Sequence, residues 1–95
     1  MPRYMIERQF FVGEDQMPEV GRRSRQIAEE HFPGQIGWEH SHVVVGEDSR
    51  VKTFCVYQAA SEDVLRRHAA ELGVHEIAAL YEIAGDVTPA DFPLD

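Results

Sequence analysis

Two segments of helical spacing, each stopped by a glycine, lie between four segments of strand character, and that order limits what the chain can fold into. Residues 3–11 carry Tyr, Ile and Phe with mixed polarity and read as a strand. Tyr4, Ile6, Arg8 and Phe10 share one side of it; Met5, Glu7, Gln9 and Phe11 share the other. Pro18 suits the first turn of a helix, where its missing N–H costs nothing. Val20, Ser24, Ile27, Ala28 and His31 then recur at helical spacing, and Pro33-Gly34 ends the run. Residues 37–45 and 50–59 read as strands around a turn at Gly46-Glu47-Asp48-Ser49. Ser61 is the expected N-cap of a second helix, with Val64, Leu65, His68, Ala69 and Leu72 as its apolar stripe and Gly73 after its end. Residues 76–84 are helical by propensity, yet Ile77, Ala79, Tyr81 and Ile83 alternate, and three strands need a partner; we assign a strand.

The resulting order, β-α-β-β-α-β, is one split βαβ repeated. It predicts an α+β fold of ferredoxin-like topology: a four-stranded antiparallel sheet with two helices on one face. Ninety-five residues are too few for two cores, so residues 1–85 are expected to form one domain, followed by an extended tail over 86–95. The other sheet face is left bare. A large apolar face is unfavourable in water, so a homodimer, sheet against sheet, is the expected remedy.

Seventeen acidic against nine basic residues give a formal charge of −8. Such a surface repels phosphate backbones and anionic lipid, and argues against nucleic acid and membrane as partners. The one basic cluster, Arg22-Arg23-Ser24-Arg25, is diluted by Glu29 and Glu30. A single cysteine, Cys55, allows no internal disulfide and suits a reducing compartment. The opening Met1-Pro2-Arg3-Tyr4 lacks the apolar run of a signal peptide, and no stretch is apolar enough to span a bilayer. A cytoplasmic chain is expected.

Trp38-Glu39-His40-Ser41-His42 is the segment with chemical content. In a regular strand His40 and His42 point the same way, roughly 6.5–7 Å apart along the chain, and their imidazoles can converge on one divalent ion. A two- or four-residue loop between the hairpin strands sets His40 opposite Cys55, His42 opposite Thr53 and Trp38 opposite Tyr57. A three- or five-residue loop shifts the pairing and turns the partner face over. In the first register Trp38, His40, His42, Thr53, Cys55 and Tyr57 share the bare face, while Phe54 and Val56 pack under the helices. With Ile6 toward the helices, Glu7 joins His40. A carboxylate, two imidazoles and a thiol could bind a metal or handle a proton. The plainer reading makes the histidines polar lining at an interface. His68, on a helix stripe, reads as a core histidine bonded to a backbone carbonyl or a carboxylate. His31 and His75 read as solvated, and Cys55 as a small apolar filler. The Walker, dinucleotide-binding and nucleophile-elbow motifs are absent.

Pro2-Arg3-Tyr4-Met5-Ile6-Glu7-Arg8, Trp38-Glu39-His40-Ser41, Cys55-Val56-Tyr57 with Ala59 and Ala60, and Arg67-His68-Ala69 resemble a family of small bacterial proteins. That family was formerly of unknown function and includes a nickel-responsive, nickel-binding member. The resemblance covers roughly residues 2–84. It implies a ferredoxin-like protomer, a dimer whose sheets form an α+β barrel, and a nickel site near the subunit interface. Glu7, His40, Cys55 and His68 fall in the matching motifs and are carried as metal-site candidates; His42 is added from its spacing. At His42 the family pattern has an aromatic residue, usually tyrosine, so the chain departs there.

Three functions follow as expectations. The first is binding of nickel, or another divalent transition metal, in sequestration or response. The second is a small dimeric barrel enzyme of the cofactor-independent oxygenase or isomerase type, supported by fold analogy alone. The third is a non-catalytic interaction module using an edge strand.

Overall fold

Helix and strand boundaries follow the local chemistry closely. The computed structural model describes residues 1–45, 48 and 50–94. The elements are β1 (Arg3–Phe10), α1 (Met17–His31), β2 (Ile36–Val45), β3 (Val51–Ala59), α2 (Glu62–Leu72) and β4 (His75–Glu82), with 3-10 turns at Glu14–Gln16 and Pro89–Asp91. Ser61 caps α2 as expected: its Oγ accepts from the Val64 N–H at 3.2 Å, and Gly73 follows with φ 69°. The segment of ambiguous propensity is a strand, β4, because it pairs with β1 along its length. Among the described residues, no helix is long and apolar enough to cross a membrane.

The four strands form one antiparallel sheet in the order β2-β3-β1-β4, as expected for a ferredoxin-like βαββαβ chain. Both helices lie on one side of it. Tyr4 and Ile6 of β1, Cys55, Tyr57 and Ala59 of β3, and Leu65 of α2 make one buried cluster. Ile27 and Phe32 meet Val64 and Leu72 in a second cluster between the helices. All five predicted stripe residues of α2 are buried. On α1, Ser24, Ile27 and Ala28 are buried, whereas His31 is exposed and hydrogen-bonded to Glu71.

Two features of the hairpin differ from expectation. First, the odd positions of β3 face the helices, so Thr53, Cys55 and Tyr57 are covered, while Lys52, Phe54, Val56 and Gln58 face the open side. The reason is composition. The even set includes Lys52 and Gln58, whose polar ends need water, while Val51, Thr53, Cys55, Tyr57 and Ala59 are all apolar or small. Second, Val45 pairs with Val51, leaving residues 46–50 as the loop, the odd-length case. The predicted turn at Gly46, Glu47 and Ser49 lies outside the described residues. His40 therefore stands opposite Val56, and His42 opposite Phe54, not Cys55 and Thr53. Between Trp38 and His40 the register shifts, with Glu39 as the extra residue of a β-bulge. The bulge keeps Trp38 opposite Tyr57 on the covered side, where the rings stack at 6.4 Å between centroids. Beyond Glu82 the tail is not wholly extended: Thr88 and Asp91 close a turn through a 2.7 Å bond from the Thr88 N–H to Asp91 Oδ2.

Candidate functional site

The two differences offset one another for the histidines. Reversing the covered side of β3 would have buried His40 and His42; the odd loop turns them back out. Residues opposite one another in antiparallel strands share a side, so the register defines the open face in rows. One row runs His42, Phe54, Glu7, Ala79; the next runs His40, Val56, Met5, Tyr81. His40 and His42 are both exposed. Their rings lie 5.3 Å apart between centroids, nearly edge to face. Glu7 shares their side but stands two strands away, beyond Phe54, and its carboxylate is 3.3 Å from Lys52 Nζ.

Glu39, the bulge residue, supplies a second carboxylate to this region. Arg3 Nε and Nη2 donate to its two oxygens at 2.8 and 3.2 Å, a bidentate pair. Those bonds hold the Glu39 carboxyl below the ordinary carboxylate value, with burial opposing and nearby positive charge, His40 included, assisting. Arg3 is pushed upward by the same partner and by Asp86. Sequence reasoning passed over Glu39 because a bulge leaves no signature in residue type.

The remaining candidates lie on the opposite side of the sheet. Cys55 is buried and its thiol donates to Thr53 Oγ1 at 3.3 Å. His68 is fully buried on α2; its Nε2–H donates to the Ser24 carbonyl at 2.9 Å, the carbonyl bond expected of a core histidine. Burial lowers its pKa, and the charge of Arg8 pushes the same way, while the Ser24 bond opposes. His75, expected to be solvated, is half-buried. Its Nδ1–H donates to the Gly73 carbonyl at 2.6 Å, and burial lowers its pKa too. The five candidates thus divide: Glu7, His40 and His42 share the open face, and Cys55 and His68 belong to the covered core. Glu82 pairs opposite Tyr4, on the other side of the sheet from the histidines. Among the described residues no three His, Cys, Asp or Glu side chains of one chain converge as a ready metal cage.

The architecture and the open face define a small α+β domain that displays a surface pair of imidazoles. Residues 4–80 match the model of the nickel responsive protein SCO4226-like family, and the chain belongs to that family. No curated protein matches the chain.

Proposed function

We propose that this chain binds nickel through His40 and His42 on the open sheet face, in sequestration of the metal or response to it. One observation carries the reading: two exposed imidazoles, 5.3 Å apart between ring centroids, directed away from the core by the hairpin register. Neutral imidazole is a borderline donor suited to nickel, copper and zinc. The family's description as nickel responsive favours nickel among them.

Two imidazoles do not fill a coordination sphere. Among the described residues of one chain no third ligand converges with them, which leaves room for a site completed across a dimer. A second copy laid on the open face would bring its own His40 and His42, and would cover Met5 and Tyr81, which are 39% and 65% exposed. Glu7 lies on the same face and serves as a further ligand or as the orienter of one, once released from Lys52. Such a pair of protomers works in the cytoplasm, where a lone reduced Cys55 is at home.

The test is calorimetric titration of tag-free protein with nickel, zinc and copper, beside light scattering with and without metal. Saturable heat with nickel and a mass of two chains are expected. His40→Ala and His42→Ala should each weaken nickel binding by tenfold or more. An absence of heat with nickel, or full binding by the double variant, would sink the reading.

A further inference from the structure

Arg8 is the one charged side chain that the fold buries without a counterion among the described residues. It is 2% exposed, yet it lies on β1 in phase with Tyr4, Ile6 and Phe10, on the covered side. Among the described residues no carboxylate forms an ion pair with it, and its Nε and Nη2 atoms have no hydrogen-bond partner. Its guanidinium lies over the Tyr57 ring at 5.2 Å from the centroid, a contact that leaves Nε and Nη2 unpartnered. An arginine cannot shed its proton to escape burial, and an unpaired buried charge is strongly unfavourable. The positive field reaches its neighbours: the pKa values of His68 and His75, lowered chiefly by burial, are lowered further by Arg8.

Arg8 also lines a cavity of about 430 Å³ between α1 and the sheet, within the range of roughly 300–1,000 Å³ typical of small-molecule sites. The walls are mostly apolar, with Phe10, Met17, Val20, Val43 and Leu72 prominent. Ser41 and Thr53 add hydroxyls, and Glu14, exposed at the rim, is the one carboxylate of the lining. A guanidinium with no anion beside it among the described residues, on the wall of a mostly apolar cavity, suits a carboxylate.

We propose that this cavity binds a small organic carboxylate with an apolar body, its charge answered by the guanidinium of Arg8. The site lies on the opposite side of the sheet from His40 and His42, so it stands or falls independently of nickel. It adds a small-molecule ligand to a metal-binding reading.

The experiment titrates the full chain with phenylacetate and hexanoate, using phenylacetamide and hexanamide as neutral matches. Binding is followed by calorimetry and by the Arg8 Nε–H resonance in nitrogen-correlated NMR. At least one carboxylate should saturate the protein and shift that resonance, with its amide tenfold weaker or worse. Arg8→Lys, which keeps the charge and loses the fork, should lose tenfold or more. Because a change at Arg8 could disturb folding, Gly21→Leu provides the second variant. Gly21 lines the cavity on α1, and a Cβ built there meets nothing within 4 Å. The leucine should fill the space and remove carboxylate binding while leaving the circular dichroism spectrum folded. Amides binding as tightly as carboxylates, Gly21→Leu retaining affinity, or neither carboxylate saturating by about 10 mM would overturn the proposal.

Discussion

Glu7 and Arg8 are neighbours in the chain, opposite in charge, and opposite in fate. Glu7 points to the open face and finds Lys52 at 3.3 Å, half in water. Arg8 points under the helices and finds no anion among the described residues. The same contrast holds for the two faces as wholes. The open face keeps its polar groups exposed, as with His40 and His42, or paired, as with Glu7 and Lys52. The covered face packs tightly around Leu65 and Ile6, both 0% exposed, yet encloses an unpaired cation and a buried imidazole. Alternation decides which side a residue occupies; it does not decide whether that side suits it. A residue that a face receives against its own chemistry marks a place where something besides stability has shaped the sheet.

The sharpest way to break the comparison is to delete Glu39. Without the bulge, either Trp38 or the His40–His42 pair must change sides. If the histidines turn inward, two imidazoles lose water, at about 1–3 kcal/mol each when left unpaired, and nickel binding goes with them. Chemical unfolding and a nickel titration of the deletion variant measure both. Retained affinity and unchanged stability would show that the bulge does not set the open face.

Truncation probes the two faces next. Leu65→Ala, in the covered core, should cost about 2–5 kcal/mol in urea unfolding. Phe54→Ala, on the open face and half-buried in one chain, should cost less in dilute protein. If a second copy covers that face, the Phe54→Ala effect grows with protein concentration, as does the unfolding midpoint of the parent chain. A midpoint independent of concentration would argue for an uncovered face.

Protonation separates the faces more gently. His68 and His75 have pKa values lowered from 6.5, first by burial. The unfolded chain therefore takes up protons before the folded one does. Their contribution to stability is complete above about pH 6.5 and is lost as the pH falls below it. The urea midpoint should decline between about pH 7 and 5.5, and His68→Gln should flatten part of that decline. Glu39, lowered from 4.5 by its Arg3 bonds, acts with the same sign in a separate window: its contribution is present above about pH 4.5 and lost below. The smallest effect is expected at the exposed pair. Glu7→Gln should change stability by no more than about 0.5 kcal/mol, as a surface ion pair does.

Much of this was legible in the chain. The spacing of Val64, Leu65, His68, Ala69 and Leu72 announced a buried helix stripe, and His68 took a backbone carbonyl as a core histidine does. Arg8 was visible in phase with three large apolar residues, a signal that a cation would be buried. Phe54 and Val56 assign the side of β3 the wrong way round, although Lys52 and Gln58 mark the even positions as the wet ones. The register of β2 was not legible. An odd loop and one extra residue at Glu39 each turn a strand over, and neither is written in residue type.

The sequence by itself determined the order of elements, the antiparallel sheet and the helix boundaries, because propensity, capping and periodicity act over a few residues. Tertiary structure alone decided which functional groups meet. It separated Cys55 and His68 from His40 and His42 by the thickness of the sheet, and buried Arg8 on the wall of a cavity. Side-chain companionship across strands depends on register, and register is fixed by the packing of both faces at once.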